Sequence, residues 1–68
     1  MDVPDIGDIV IGLLPKTYGH YLIKNIQQND DGTMTIKFVD IYDDTVFIWR
    51  GDLGSYNKSF KHELAYTN

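Results

Sequence analysis

Few residues of this chain have the types and spacing that catalysis requires. Ser55 and Ser59 precede His62 closely enough to suggest a hydroxyl nucleophile with a histidine base. Neither serine stands in a nucleophile-elbow motif or in any other catalytic sequence context, and a short loop explains both of them. We therefore expect a protein without enzymatic activity.

Metal and cofactor sites are also not indicated. The chain has no cysteine, which excludes disulfides and thiolate ligands. His20 and His62 lack an acidic pair at ligand spacing, so we expect them in solvent or at the edge of the core rather than on zinc. The "DDG" segment lacks the other ligands of a calcium loop, and the glycines form no phosphate-binding loop. The sequence predicts no metal and no cofactor.

Aromatic and acidic residues favour binding instead. Phe47 and Trp49 stand two apart in "VFIWR" and therefore point to the same side of one strand. Asp43 and Asp44 precede them in the "YDDT" turn, where they would form a charged rim that steers a basic partner. These four residues are the first candidates for a partner-binding surface.

The same strand is apolar on both faces, so one face must lie outside the small core. One interpretation places Val46 and Ile48 inside and leaves Phe47 and Trp49 on the outer surface as an interface. The other interpretation lets the C-terminal tail cover the aromatic pair and form a second small core. The tail residues that would do so are Tyr56, Phe60 and Leu64. Both interpretations remain open at this point.

The rest of the pattern predicts a β-protein. β-Branched residues and apolar alternation indicate strands within residues 7–14, 19–28, 33–41 and 46–50. The "NDDGT" segment between the second and third strands predicts a hairpin, because Asp-Gly accommodates the positive φ angles of a tight turn. The expected core residues are Val10, Ile36, Phe38, Val46, Ile48 and Leu53.

The C-terminal tail fits two kinds of element. Tyr56, Phe60 and Leu64 recur at helical spacing, whereas Phe60, His62, Leu64 and Tyr66 alternate as in a strand. Gly51 and Gly54 bracket two residues, which favours a single short 3-10 turn. We predict that turn followed by a short last strand.

Composition limits the size and the partner class. A chain of 68 residues forms one domain, residues 1–68, and 43% hydrophobic with 24% charged content is typical of a globular protein. The net charge of −4 comes from ten acids against six bases, and the bases are scattered along the chain, which argues against direct nucleic-acid binding. The acidic N-terminus resembles no secretory signal or membrane span, so a cytoplasmic protein is expected.

Four strands in a meander, a one-turn helix and a fifth strand resemble an SH3-like barrel. Motifs of the Tudor-type members are similar to several stretches between residues 6 and 53. These are "IGDIV" at residues 6–10, Tyr21 in the second strand, Phe38, Asp40 and Tyr42 in an F-x-D-plus-tyrosine stretch, and the pair Asp52 and Leu53. The fold expectation is an all-β, five-stranded SH3-like or Tudor-like barrel. In this fold Asn25 would take an apolar position unless a bulge brings Ile26 inward.

The resemblance also implies a ligand. Tudor-type cages hold a methylated lysine or arginine between aromatic rings and an acid. The matching positions are Tyr18, Tyr21, Phe38 and Tyr42, with Asp40. A purely structural interpretation makes Phe38 core, packs Tyr21 at the barrel edge and leaves Tyr18 and Tyr42 as half-solvated turn residues.

The expected function is non-catalytic protein binding. A chain of 68 residues that begins at Met1 and has no flanking domains favours a small, phage-type inhibitor or modulator that docks on a host protein such as an enzyme. The alternative is a Tudor-like reader module for a peptide or a methylated side chain. The sequence specifies neither the partner nor the oligomeric state.

Overall fold

The computed structural model describes residues 2–63, which contain five strands and two short helices. In chain order these elements are β1 (Ile9–Gly12), a 3-10 turn (Pro15–Thr17), β2 (Gly19–Gln28), β3 (Met34–Asp40), β4 (Val46–Gly51), α1 (Leu53–Ser59) and β5 (Phe60–His62). The strands form one antiparallel sheet in the order β4-β3-β2-β1-β5. β4 and β5 are therefore the two edges, and backbone pairing between them does not close the sheet. The expectation of a mainly β domain is confirmed.

The predicted hairpin joins β2 to β3. The Asn29 amide donates to the Thr33 carbonyl at 2.8 Å, and Gly32 has a φ of +87°. The Asp31 carboxylate accepts from the backbone and hydroxyl of Thr33 and lies 2.9 Å from Arg50 Nη2, and these contacts lower the pKa of Asp31 to about 2. Local turn chemistry thus fixes the register of the longest strand pair.

The expected bulge is present in β2. The register between β2 and β3 shifts between Ile23 and Asn25, so that Lys24 and Asn25 are both exposed. Ile26 is consequently returned to the inner face, where it packs against the core. A polar residue at position 25 is therefore accommodated without burying an amide.

The core lies on one face of the sheet, and α1 contributes Tyr56 to it. Its buried apolar residues are Val10, Tyr21, Ile23, Met34, Ile36, Phe38, Tyr56 and Phe60. The predicted burial of Val10, Ile36 and Phe38 is confirmed, whereas Leu53 is only half-buried against this cluster. The predicted burial of Val46 and Ile48 is wrong, because β4 turns its aromatic face to the core instead.

The segment after β4 is more helical than expected. In place of a single 3-10 turn it forms the seven-residue helix α1, and the 3-10 turn of the structure lies at Pro15–Thr17. Asp52 caps α1, since its carboxylate accepts from the Ser55 amide at 2.8 Å, and this bond lowers the pKa of Asp52.

The expected last strand follows as β5, which pairs antiparallel with β1. Leu64 and Tyr66, the other residues of the predicted alternation, lie outside the described residues. Within residues 2–63, no helix is both long and apolar enough to cross a membrane.

Candidate functional site

The aromatic face of β4 belongs to the core. The Phe47 ring stacks on Phe38 with 5.8 Å between centroids, and Trp49 meets Tyr56 and Phe60 edge-on at 5.9 and 5.6 Å. The interpretation that puts Phe47 and Trp49 on the outer surface is therefore wrong. Coverage by the tail is confirmed for Tyr56 and Phe60, while Leu64 lies outside the described residues. A contact of the half-buried pair with a partner stays a prediction.

The opposite face of β4 is the exposed one. Val46 and Ile48 are 53% and 58% exposed. This surface extends across the neighbouring strands of the sheet. Val46 pairs with Val39, Val39 with Leu22, and Leu22 with Ile9. Residues of one face that pair side by side form a continuous strip. We call Ile9, Leu22, Val39 and Val46 the aliphatic row.

The face that carries the aliphatic row, which we call the outer face, is also basic. Lys37 lies between Asn25 and Ile48 in neighbouring strands, and Arg50 is paired with Thr35. Alternation places Lys24 and Lys61 on the same side of β2 and β5. Four of the six bases, although scattered in the sequence, thus share one face. Alternation from the predicted core residue Phe38 places Lys37 on this face, whereas the position of Arg50 depends on which face of β4 is buried.

Exposed aromatic rings lie where β2 begins. Tyr18 and Tyr42 are 66% and 76% exposed, and Tyr42 meets His20 edge-on with 5.7 Å between ring centroids. The Ile41 amide donates to the His20 carbonyl at 3.0 Å and so ties the loop after β3 to β2. We call Tyr18, His20 and Tyr42 the aromatic end.

Tyr21 and Phe38 lie inside rather than in this aromatic end. The Tyr21 ring packs against Phe38 and Phe47, and its hydroxyl donates to the carbonyls of Thr17 and Tyr18 at 3.1 Å each. Burial raises the pKa of Tyr21, and the charges of nearby aspartates add to the shift. The structural interpretation of Phe38 as a core residue is confirmed.

Two of the three aspartates at the end of β3 and in the following loop shape the turn. The Asp40 carboxylate accepts from the amides of Tyr42 and Asp43 at 2.8 and 3.2 Å. The Asp43 carboxylate accepts from the Thr45 amide at 2.9 Å, which lowers the pKa of Asp43. Asp44 has a φ of +64°, and its exposed side chain contacts no donor in the described part of the chain. Asp44 is therefore the most available acid of this loop.

A constellation that the sequence analysis missed joins α1, β5 and the N-terminal segment. His62 Nε2 lies 2.7 Å from the Tyr56 hydroxyl, and His62 Nδ1 lies 3.6 Å from Asp8 Oδ2. The order Asp-His-Tyr resembles a catalytic relay. Tyr56 is fully buried, however, and burial with two nearby aspartates raises the pKa of its phenol, the opposite of nucleophile activation. The relay satisfies buried polar atoms at the core edge.

Residues 2–63 contain no group of three or more histidine, aspartate or glutamate side chains placed to hold a metal ion, and no pocket is formed by them. No protein-family model matches the chain, and neither a curated protein nor a solved structure shows a significant match. The geometry of the outer face and of the aromatic end therefore carries the functional inference.

Proposed function

We propose that this chain is a non-catalytic protein-binding domain whose contact surface is the outer face of its sheet. The supporting observation is the aliphatic row, which crosses four strands and ends at Val46, more than half of which is exposed. Apolar residues that adjoin one another on a surface favour an interface, whereas single exposed ones do not. Lysines beside the row and Asp44 at its end would form a polar rim.

The architecture proposed for this domain is an SH3-like barrel of the Tudor type. Three features support it: the strand order β4-β3-β2-β1-β5, the helix between β4 and β5, and the bulge in the long β2. A bulged strand bends, so the two ends of β2 can serve the two halves of a small barrel.

The mode of action that we propose is docking on a host protein as an inhibitor or modulator. The outer face offers an apolar centre, and the YDDT turn places Asp43 and Asp44 at its margin. Charges at the margin of an interface accelerate encounter with a complementary surface more than they strengthen the final complex. The association rate with the partner should therefore fall at high salt, whereas the dissociation rate should change little.

Affinity capture from a bacterial lysate tests this proposal. Val39→Lys places a charge at the centre of the aliphatic row, and Asn25→Lys places the same charge on the same face outside the row. We expect one stoichiometric partner on the parent chain and on Asn25→Lys, with binding of the purified partner reduced at least tenfold by Val39→Lys. Unchanged affinity of a folded Val39→Lys variant, or the absence of any stoichiometric partner, would contradict the proposal.

A Tudor-like reader is the second candidate, because the aromatic end is exposed beside acidic residues. Tyr21 and Phe38 are core residues, so such a cage would be formed by Tyr18, His20 and Tyr42. Titration with trimethyllysine and dimethylarginine peptides, followed by nuclear magnetic resonance, tests it. Shifts confined to these residues and lost in Tyr42→Ala would support the reader, and unmodified peptides of equal sequence are the control.

A further inference from the structure

We propose that two copies of this chain associate by antiparallel pairing of their β4 edges. This inference goes beyond the proposed function and does not depend on it. It rests on the backbone of β4, on the side chains beside that edge and on the charges at its two ends.

The backbone of β4 has a free hydrogen-bonding edge. The Asp40 amide donates to the Thr45 carbonyl at 2.9 Å, which identifies this opposed pair as a hydrogen-bonded one. In an antiparallel ladder, hydrogen-bonded pairs alternate with pairs that are not hydrogen-bonded. Counting by twos from Thr45, Phe47 and Trp49 therefore direct their amides and carbonyls to β3. Val46, Ile48 and Arg50 direct theirs away from β3. Within residues 2–63, no strand pairs with that side of β4.

The side chains at this edge do little to prevent association. An edge strand is normally protected by proline, by lysine, by a bulge or by a covering segment. Residues 46–49 contain no proline and no charge, and their register with β3 is continuous. β5, the other edge strand, has only three residues and includes Lys61. The association site is therefore β4 and not β5.

The occupant that fits β4 is β4 of a second copy. A twofold axis at Phe47 places Val46 opposite the second copy's Ile48, and this contact occurs twice. It also brings the turn that carries Asp44, two residues before β4, beside the end of the second copy's strand at Arg50. Both aliphatic residues face the same side of the extended sheet. Arg50 holds Thr33 and Asp31 through Nε and Nη2, which leaves Nη1 for a second carboxylate. The β4 edge thus pairs aliphatic residues with aliphatic residues at its centre and carries opposite charges at its two ends.

Sedimentation equilibrium of the purified chain over a range of micromolar concentrations tests the dimer. A contact of one strand pair is small, so we expect a dissociation constant on the order of micromolar. Asp44→Lys and Arg50→Glu each bring like charges together at both ends of the paired strands, and each should weaken the dimer at least tenfold. An equimolar mixture of the two variants should restore it, because every introduced charge then faces an opposite one.

Two further variants separate this register from other modes of association. Ile48→Lys places a charge in the centre of the proposed interface and should yield a monomer, whereas Ile9→Lys, on the same face but on β1, should leave the dimer intact. Amide exchange at Val46 and Ile48 should slow as the concentration rises. A monomer at all concentrations, a dimer that is insensitive to Ile48→Lys, or a mixture that fails to restore association would overturn the proposal. Because only the purified chain is used, failure of partner capture leaves these results unaffected.

Discussion

The two faces of β4 differ in how the rest of the chain treats them. Phe47 and Trp49 on one face are met by rings from β3, α1 and β5. Val46 and Ile48 on the other face are more than half exposed, and their neighbours across the sheet form a strip rather than a layer that covers them. One face of β4 thus packs against the core, and the other face belongs to the surface proposed for binding.

Side-chain size explains which face is buried. Aromatic side chains bury more area than valine or isoleucine, and ring pairs at these centroid distances add edge-to-face and stacked contacts. α1 and β5 supply Tyr56 and Phe60, two large buried rings, and both pack against Trp49 on this face. A binary hydrophobic pattern does not distinguish the two faces, whereas the ring contacts with Tyr56 and Phe60 do.

Truncation in the core should show the largest difference between the two faces. Phe38→Ala removes a fully buried ring that contacts Tyr21, Phe47 and Phe60, and should lower the free energy of unfolding by about 3–5 kcal/mol. In a domain of this length, whose total stability is on the order of 5 kcal/mol, the variant should be largely unfolded. Val39→Ala is the control from the opposite face and should cost about 1 kcal/mol or less. Urea denaturation followed by circular dichroism measures both, and a small effect of Phe38→Ala would contradict the assigned core.

Substitutions on the two faces of β4 should differ in their effect on the free energy of unfolding. Trp49→Ala should cost about 2–3 kcal/mol, less than for a fully buried ring because Trp49 is half-buried, whereas Ile48→Ala should stay within about 0.5 kcal/mol of the parent at concentrations where the chain is monomeric. The parent protein should also show blue-shifted tryptophan fluorescence that resists quenching by iodide. Red-shifted, readily quenched emission would mean that Tyr56 and Phe60 do not cover Trp49 in solution.

Local sequence patterns predicted the strands well, because alternation and turn chemistry act within a few residues. The segment predicted for β2 has the same bounds as the strand, 19–28, and the need for a bulge near Asn25 followed from the misplaced polar residue. The length of α1 was not predicted, because glycine disfavours helix at positions 51 and 54. In the structure Gly54 lies in the first turn of α1, and the Asp52 cap stabilises the start of the helix.

The candidate site was less predictable for a physical reason. Which face of β4 is buried depends on contacts with residues 56 and 60, which are distant in sequence from most of the strand. The aliphatic row likewise combines residues from four strands, and only the register brings them together. Alternation shows which residues of a strand share a face. It gives neither the register between strands nor the face that is buried.

Removal of a hydrogen bond at the edge of the core should lower the free energy of unfolding less than truncation of either ring does. Tyr56→Phe keeps the buried ring but removes the hydroxyl that lies 2.7 Å from His62 Nε2, and should cost about 1 kcal/mol. Tyr42→Phe removes an exposed hydroxyl and should change the free energy of unfolding by less than the error of the measurement. Thermal unfolding of both variants at neutral pH provides the comparison. Equal stabilities would show that the Tyr56–His62 contact contributes nothing net.

The smallest expected effect concerns the cap of α1, the helix that covers the aromatic face. The Ser55 amide lowers the pKa of Asp52 in the folded protein below its usual value of 3.8. A carboxyl with a depressed folded pKa stabilises the protein above its unfolded pKa, and that stabilisation is lost as the pH falls through the folded value. Asp52→Asn keeps an oxygen acceptor but does not titrate, whereas Asp52→Ala removes the cap at every pH. The stability difference between the parent and Asp52→Asn should therefore shrink as the pH is lowered from 6 to below about 3. At pH 6, Asp52→Ala should have a lower melting temperature than the parent and than Asp52→Asn. Because the same variants leave Val46 and Ile48 untouched, a change in their exposure, measured by methyl resonances, would show that the cap of α1 also controls the outer face.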